Sequence, residues 1–526
     1  MLITPIPTGS SDLGTRMKLA LQAPLDQIAL RAWNRIDPSS RRAFVATMVV
    51  SVLAFGFEMT NLTLHHDDIS HIFIEDTILG HYLGRFGFGW FHYYTQNAYL
   101  MPFLQILQGT VFTAVYGVLI ARFWGLRTTL DIALVASVVC VFPYMAQLYQ
   151  YNTSVAPFPL AHLLAAAAVV LSVRATLTST LVASLLYVGA FSIYQSVVAI
   201  AATVFLVWLA ARVAFCEEEP RLLARTLAKA TGAAIAAVFM GGAVYLFCVS
   251  LLNIPFDSYQ SAGDAFSLSG RRDVSQTLSV LVTGTRGFLF WPENYFPSYL
   301  KYTQLVLLAS AALVCIRLSV RTPGKLAALA LLGLASLSPR VLQVLHPAGT
   351  YHNLTLTGYA VFVAGCVMVI LRNAGPLARN AATFAVLFLV TGYVLQCNWI
   401  STVGHLNMRA HFSTTTQILA ALRSVRGTEW DGKRIVVVGH YDMPPAHPFR
   451  PGTGVTAEFM NAKHMTFMAR LLRDSATFVE ADATMPGVLR FAASRATWPS
   501  PDSIGVVDGV GVVVLGSSRS RDAGSP

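Results

Sequence analysis

The chain has 526 residues, of which 55% are hydrophobic and only 12% are charged. Soluble domains have about 45–50% apolar and about 25% charged residues, so we predict a polytopic membrane protein. The formal net charge of +11 comes from basic residues scattered between apolar runs, which argues against a nucleic-acid partner because no aromatic-lined basic patch forms. The six cysteines include no CxxC pair and no regular spacing, which argues against a disulfide framework and a zinc site.

Residues 1–42 form the first predicted segment, and they lack an apolar core. No cleavable signal peptide is visible there. The segment instead carries six basic residues, and Arg41 and Arg42 directly precede the first apolar run. Because basic residues beside membrane helices are retained in the cytoplasm, we expect this segment to be cytoplasmic.

Apolar segments dominate residues 43–400, which we predict to form a transmembrane domain. A helix needs about 20 mostly apolar residues to cross the hydrocarbon core, and about eleven segments approach that length. They lie near 43–60, 98–121, 130–147, 156–173, 179–193, 195–213, 230–252, 302–318, 325–339, 354–371 and 381–399. With the amino terminus inside, every cytoplasmic connection carries arginine or lysine, as the positive-inside rule requires.

The loop after the first predicted span, residues 61–97, concentrates charge in a chain that has little of it, and it contains Asp67 and Asp68. A charged side chain at mid-membrane costs about 2.5–3.5 kcal/mol, so carboxylates this close to a bilayer indicate a function. One reaction that such a carboxylate can serve is glycosyl transfer, in which a general base takes the proton of the acceptor hydroxyl. One aspartate could be that base while the other orients Arg85, a histidine or a metal. A helix cap and solvated loop charges are the structural alternatives.

Three histidines in the same loop, His65, His66 and His71, raise the question of a metal ion. Imidazole and carboxylate suit several divalent ions, so His66 with Asp67 and Asp68 is a candidate ligand set. The spacing lacks the i, i+4 pairing of a HExxH helix, and hydrogen-bonding histidines are the alternative. The sequence therefore requires no cofactor and leaves a divalent metal open.

Arg85 lies between glycines in LGRFG, where a ligand can approach the backbone closely. Its planar guanidinium suits bidentate binding of phosphate. Because nucleotide sugars are cytoplasmic, a site on the outer face favours a lipid-carried sugar donor, and we predict that Arg85 binds its phosphate. The alternative is contact with lipid headgroups.

Two predicted outer helix ends combine aromatic and amide side chains, with Tyr151 in AQLYQYN and Gln195 in FSIYQS. A sugar can stack on a ring and bond to an amide, so we predict that both residues bind the donor. Interface anchoring is the ordinary alternative for tyrosine. Arg271, Arg272 and Arg340 lie in later outer loops, where topology does not require basic residues, and they are further candidates for the donor phosphate.

Beyond residue 400 the composition becomes that of a soluble domain. We predict a buried strand over residues 433–439, an amphipathic helix over 457–473 and one or two strands over 504–515. Together they indicate a small α/β domain over 401–526, outside the membrane. The stretch VDGVGVVVLGSS lacks GxGxxG spacing and a following helix, so nucleotide binding is not indicated.

Four motifs occur in an order that resembles the bacterial glucosyltransferase II-like family of serotype-converting membrane enzymes. They are HDD at 66–68, GRFG at 84–87, FPYMAQLYQYN at 142–152 and SIYQS at 192–196. The resemblance covers roughly residues 43–215, and the remaining crossings agree in general layout. Such enzymes are similar to the GT-C superfamily, in which an acidic residue of the first outer loop acts in catalysis. The resemblance thus places Asp67 and Asp68 at catalytic positions.

The resemblance also implies a fold, a location and substrates. It implies a mainly α, polytopic GT-C-type protein of the bacterial inner membrane, with a periplasmic carboxyl-terminal domain. A hexose, with glucose expected, would pass from a polyprenyl-phosphate donor to a lipid-linked, O-antigen-like glycan. An O-antigen polymerase or ligase that uses Arg271 and Arg272 is one alternative function. A transporter or flippase is another, although charges deep within helices would then be expected.

Overall fold

The computed structural model describes residues 33–73, 84–96, 100–254, 274–293, 295–345, 353–425, 430, 432–441 and 460–516. Most of this part of the chain is helical, and one small sheet lies near its carboxyl end. The mainly α class with a carboxyl-terminal α/β portion is therefore confirmed.

Ten α-helices occupy the first half of the described chain. They are α1 Pro38–Thr60, α2 His66–Phe73, α3 Phe86–Gln96, α4 Pro102–Phe123, α5 Thr129–Cys140, α6 Pro143–Tyr149, α7 Pro157–Ser172, α8 Leu177–Ile193, α9 Val197–Phe215 and α10 Pro220–Leu251. Many begin with proline, whose fixed φ and missing N–H group suit the first turn of a helix. At Pro143 this property separates α5 from α6, and the two helix axes differ by 55°.

The second half of the described chain contains the remaining helices. They are α11 Val274–Phe290, α12 Ser298–Arg321, α13 Leu326–Leu337, α14 Val341–Leu345, α15 Gly358–Asn373, α16 Pro376–Ser424, α17 Ala462–Leu471 and α18 Pro486–Ala493. Short 3-10 helices cover Pro323–Lys325, Ser338–Arg340, Asn353–Leu356 and Pro501–Ser503.

Eight helical segments in the described residues are long and apolar enough to cross a membrane, or nine when the bent pair α5 and α6 counts as one crossing. All eleven segments predicted as crossings coincide with helices, but α7 and α8 have only 16 and 17 residues. Helices of that length measure about 24–26 Å, which is less than the hydrocarbon core of about 30 Å. A membrane protein is supported, and the number of eleven crossings stays a prediction.

A close contact with α4 fixes the turn that follows α6. A Cβ atom at Gly109 of α4 would lie 2.0 Å from the carbonyl oxygen of Val155, so this approach requires glycine. The turn is closed by hydrogen bonds from the N–H groups of Ser154 and Val155 to the carbonyl oxygen of Tyr151, each 2.9 Å long. The backbone amides of this turn are thereby held at a defined place in the bundle.

Four strands form one sheet in the order β2-β1-β4-β3. They are β1 Arg434–Val438, β2 Thr477–Glu480, β3 Ile504–Val507 and β4 Val510–Val514. β1 pairs in parallel with β2 and β4, whereas β3 and β4 form an antiparallel pair. The strands predicted over 433–439 and 504–515 are confirmed, and the helix predicted over 457–473 corresponds to α17.

The 49-residue helix α16 joins the membrane bundle to the sheet. At its upstream part, Asn398 Nδ2 donates a hydrogen bond of 2.7 Å to the carbonyl oxygen of Leu53 in α1. Further along, Ile418 and Leu422 belong to the apolar core beneath the sheet. The helix passes through residue 400 without a break, and the domain division at that residue stays a prediction.

The apolar core beneath the sheet extends onto α2. Leu64, just before this helix, and Ile69 within it are buried in the same cluster as Met465 and Met468 of α17. The N–H group of Leu64 also donates to Met408 Sδ of α16 at 3.1 Å. Burial of a leucine or isoleucine side chain stabilises a fold by about 1.5–3 kcal/mol. Helix α2 is therefore held between the bundle and the carboxyl-terminal portion.

Candidate functional site

Asp68 lies in the first turn of α2 and has no exposed surface. Its Oδ2 accepts hydrogen bonds from the N–H of His65 at 3.0 Å and from the N–H and Nδ2 of Asn152 at 3.2 and 3.0 Å. Its Oδ1 accepts from the N–H of Thr153 at 3.1 Å. The contact with His65 is one half of a capping box, and the others join α2 to the turn after α6.

The surroundings of Asp68 set the charge of its carboxyl group. Burial raises the pKa of Asp68 to about 6, and the hydrogen bonds from His65, Asn152 and Thr153 limit this rise. The carboxylate is therefore mainly ionised at neutral pH. Hydrogen bonds to a charged group contribute about 1.5–3 kcal/mol each, so Asp68 holds two segments of the chain together.

Asp67 precedes Asp68 in the same helical turn, and its side chain is exposed. Successive side chains of a helix project about 100° apart, so the burial of Asp68 turns Asp67 outward. The two carboxylates have different surroundings, as expected for residues with separate roles. Of the two, Asp67 is the one that a substrate can reach.

Histidine and tyrosine side chains lie beside this acidic pair. The His65 ring centre is 3.7 Å from that of Tyr151, which brings the predicted donor-binding tyrosine to the start of α2. His92 of α3 forms a hydrogen bond through Nε2 with the carbonyl oxygen of Thr153. The turn after α6 is therefore attached to both α2 and α3.

Glu58, near the end of α1, is a second buried carboxyl group next to the pair. It is 1% exposed and lies near Thr63 and Ser401. Among the described residues, no hydrogen bond of normal geometry reaches its carboxyl oxygens. Thr63 Oγ1 is 3.3 Å from Nδ1 of His405. Because Ser401 and His405 belong to α16, this long helix encloses the cluster on the side of α1.

Arg85 and Gln195, both predicted to bind the donor, are in contact. Arg85 Nε donates to Gln195 Oε1 at 3.3 Å, and Gln195 Nε2 donates to the Tyr245 hydroxyl at 2.9 Å. The guanidinium carbon lies 5.7 and 5.2 Å from the ring centres of Phe158 and Tyr194, which stack at 3.9 Å. These distances are within cation–π range, so an amide and two rings orient the arginine.

Arg340 belongs to a different polar cluster. Its Nε donates to the Tyr359 hydroxyl at 2.8 Å, and its Nη1 donates to Gln343 Oε1 at 3.3 Å. Gly284 of α11 lies against the guanidinium, because a Cβ atom there would be 2.5 Å from Arg340 Cζ. The lack of a side chain at Gly284 thus makes room for this cation.

An acid and an amine accompany Arg340. The Tyr144 hydroxyl donates to Glu293 Oε1 at 2.6 Å. Burial raises the pKa of Glu293, and the hydrogen bond from Tyr144 and the charges of Lys301 and Arg340 oppose the rise. Lys301 has no exposed surface, and its Nζ lies 4.4 and 4.6 Å from the centres of two phenylalanine rings. This cluster places two cations near one carboxyl group.

The predicted site residues thus fall into three groups. Asp67, Asp68 and Tyr151 lie around the start of α2, Arg85 and Gln195 lie together at the start of α3, and Arg340 lies beside Glu293. Helix α6 and its following turn connect the first and third groups, through Asn152 and Tyr144. Arg271 and Arg272 lie outside the described residues.

The described residues contain no group of three or more His, Cys, Asp or Glu side chains arranged to hold a metal ion. The side chains of His66 and His71 are outside the described part of the structure. Asp68 fits poorly as a ligand, since its two oxygens already accept four N–H groups. The set of His66, Asp67 and Asp68 therefore stays a prediction.

Sequence reasoning did not single out four residues that the structure places in these clusters: His92, Thr153, Glu293 and Lys301. Glu293 and Lys301 carry charge at the edge of an apolar segment, and such a position is itself a signal of function. Thr153 contributes only backbone atoms to the contacts with Asp68 and His92. Because these contacts do not involve its side chain, no pattern of residue types in the sequence could have indicated the role of Thr153.

A family model described as glucosyl transferase GtrII matches residues 56–371, which is more than half of the chain. The match includes α2, α3, the turn after α6 and the cluster around Arg340. It ends before α16 and the sheet. No curated protein matches the chain.

Proposed function

The chain belongs to the glucosyl transferase GtrII family, and from this premise we propose that it transfers a hexose from a polyprenyl-phosphate donor to a lipid-linked, O-antigen-like glycan. Membership of the family implies a glucosyltransferase, so glucose is the expected sugar. The lipid donor, the glycan acceptor and the face of the membrane belong to the proposal.

The contrast between exposed Asp67 and buried Asp68 is the observation that carries the proposal. A transferase of this kind needs one accessible carboxylate at a fixed position. Asp68, with its bonds to Asn152 and Thr153, supplies the fixed position. Asp67 supplies the accessible group in the same turn.

In the proposed step, Asp67 accepts the proton of the acceptor hydroxyl as its oxygen attacks C1 of the sugar. A bond forms between the acceptor oxygen and C1, and the bond between C1 and the phosphate oxygen breaks. The electron pair leaves with the polyprenyl phosphate. One base suffices for such a displacement, which inverts the configuration at C1. A positioned general base contributes about 10²- to 10⁴-fold to the rate.

The donor phosphate needs a cation, and Arg85 is the proposed one. Its guanidinium is oriented by Gln195 and by the rings of Phe158 and Tyr194. Arginine pairs with phosphate through parallel hydrogen bonds. Arg340, which is partly exposed, is the proposed second cation.

We place the reaction on the periplasmic face of the bacterial inner membrane. This placement rests on the basic connections at the other ends of the helices, such as those with Arg127, Arg174 and Arg372. Under the positive-inside rule such connections stay in the cytoplasm. The candidate site then faces a compartment without nucleotide sugars, which favours a lipid-carried donor.

The test is transfer of radiolabelled glucose from its polyprenyl phosphate to a crude lipid-linked glycan fraction by the purified protein. Nucleotide-linked glucose serves as the control donor, and parallel reactions contain a chelator. We expect label in the glycan from the lipid donor alone. Transfer from the nucleotide and not from the lipid would contradict the proposal, and the chelator decides whether a metal is needed.

A further inference from the structure

A cavity of about 460 Å³ lies at the ends of α4, α9 and α15. Helix α9 begins two residues after Gln195 of the candidate site, and its last residue, Phe215, lies on the cavity wall. A helix of 19 residues measures about 28 Å. The cavity is therefore at the opposite end of the helix bundle from Arg85, and the proposed transfer step does not use it.

Arg127, Arg212 and Arg372 line this cavity, and no acidic side chain does so in the part of the chain that the structure describes. Arg127 and Arg212 are close enough to repel Arg372 electrostatically. Arg212 forms an ion pair of 2.9 Å with Glu218, which is not a wall residue. Glu217 and Glu219 flank Glu218 in the exposed connection, but among the described residues neither Arg127 nor Arg372 forms an ion pair. These two guanidinium groups would therefore stabilise an anion in the cavity.

The position of Arg372 is set by its neighbours. Its Nη1 donates to the carbonyl oxygen of Trp124 at 2.9 Å, and its guanidinium lies 4.3 Å from the centre of the Phe215 ring. Gly125 has φ +90°, and a Cβ atom there would be 3.1 Å from Arg372 Nη1. The Trp124 indole N–H in turn donates to the carbonyl oxygen of Val204 at 3.2 Å. The cation and the wall are thus held in place before any ligand binds.

The cavity also has an apolar side. Phe123 and Trp208 are wall residues, and their rings stack at 5.6 Å with an angle of 8° between planes. Both belong to helices long and apolar enough to cross a membrane. A ligand that matches both sides carries a negative headgroup and a hydrocarbon chain.

We propose that this cavity binds the phosphate group of an anionic membrane lipid. Arg127 and Arg372 contact the phosphate oxygens, and the hydrocarbon chain follows Phe123 and Trp208. Basic residues near helix carboxyl termini also interact favourably with the helix dipole, but that effect does not require three arginines to converge on one cavity. This site is independent of the transfer reaction.

The test measures lipid binding to the full-length protein in detergent by native mass spectrometry. The probes are phosphatidylglycerol, phosphatidylcholine with the same acyl chains, polyprenyl phosphate and inorganic phosphate. We expect saturable binding of one phosphatidylglycerol and at least tenfold weaker binding of phosphatidylcholine. Because polyprenyl phosphate also fits the proposed site at Arg85, only the part of its binding that Arg127→Glu removes is assigned to this cavity. Comparing the two anionic lipids distinguishes a phosphate diester from a monoester.

Variants locate the binding. Arg127→Glu should weaken binding of the anionic lipid by about tenfold or more, because a charged hydrogen bond is lost and a repulsive charge is added. Arg372→Ala should have a similar effect, and Arg127→Glu keeps the test decisive if loss of the Arg372 contacts prevents folding. Arg174→Glu, in the exposed connection between α7 and α8, is the matched control and should bind as the wild type does.

Two results would overturn the proposal. One is equal binding of the anionic lipid by Arg127→Glu and Arg174→Glu. The other is binding of inorganic phosphate as tight as that of the lipids, which would assign the cavity to a free anion.

Discussion

At the residue scale, two adjacent aspartates show how burial divides their roles. Asp68 is enclosed and accepts N–H groups from three residues, whereas Asp67 is exposed. A carboxylate occupied by backbone donors holds structure well, but its oxygens are poorly placed to meet a substrate hydroxyl. We therefore assign the base to Asp67 and the positioning of α2 to Asp68.

Substitution of Asp68 should show its structural role. In Asp68→Asn, an amide NH₂ would face N–H donors, and hydrogen bonds to a charged group would be lost. We expect destabilisation of about 2 kcal/mol or more, seen as a lower Tm in detergent. Asp67→Asn is the control, since an exposed substitution should stay within about 0.5 kcal/mol. If Asp68→Asn kept the wild-type Tm and lost activity, Asp68 would be the catalytic carboxylate.

Substitution of Arg85 should separate charge from geometry. Lysine keeps the charge but lacks the planar fork that donates to Gln195 and packs on the Phe158 and Tyr194 rings. We expect Arg85→Lys to raise the KM for the lipid donor by about tenfold, because one charged hydrogen bond to the donor phosphate is lost. Arg174→Lys controls for the change of side chain. Wild-type kinetics for Arg85→Lys would remove Arg85 from the site.

The sequence indicated most of these residues but not their partners. Asp67, Asp68, Arg85 and Gln195 stood out because charge and amide groups are rare beside apolar runs. The partner of Asp68, Asn152, is 84 positions away, and periodicity cannot show which of two neighbouring side chains faces it. The separate cluster around Arg340 depends in the same way on long-range packing.

At the element scale, α2 depends on a part of the chain outside the family match. Ile69 packs in one apolar cluster with Met468 of α17, and Leu64 contacts Met408 of α16. The matched region ends at residue 371. The carboxyl-terminal portion of this chain therefore helps to hold the helix that carries Asp67.

Truncation of Met468 should reveal this support. Met468→Ala opens a cavity in the apolar cluster that includes Ile69 of α2. We expect kcat to fall even at temperatures where the variant is fully folded, because α2 is then held less firmly. Val512→Ala is the matched control, because Val512 is equally buried but belongs to the cluster on the other face of the sheet. Large-to-small core substitutions cost about 2–5 kcal/mol, so activity is compared well below each Tm. Equal kcat values in the two variants would limit α17 to a structural role.

Element predictions succeeded where local pattern decides the outcome. The apolar segments form helices and the valine-rich segments form strands, because hydrophobic periodicity and segment length can be read from the local sequence. The bend at Pro143 and the extension of α16 to Ser424 were not predicted. The first depends on how two short helices pack, and the second on an apolar core formed by distant strands.

At the scale of the whole molecule, the two ends of the bundle differ in charge. The acidic pair lies at one end, and the cavity lined by Arg127, Arg212 and Arg372 lies at the other. This polarity agrees with a site on the outer face and basic connections in the cytoplasm.

Cysteine labelling in intact spheroplasts tests this orientation. Tyr94 is 79% exposed beside the site, and Leu177 is 77% exposed near the basic connection with Arg174. A membrane-impermeant maleimide should label Tyr94→Cys and not Leu177→Cys. The six native cysteines are buried or half-buried, and unsubstituted protein gives the background. Labelling of Leu177→Cys alone would reverse the orientation.

The most direct test of the central claim is the rate of glucose transfer from polyprenyl phosphate by Asp67→Asn and by the wild type, at equal amounts of folded protein. We expect a fall of about 10²- to 10⁴-fold, the contribution of a general base, with an unchanged Tm. Wild-type transfer rates in Asp67→Asn would contradict the assignment of this carboxylate as the base.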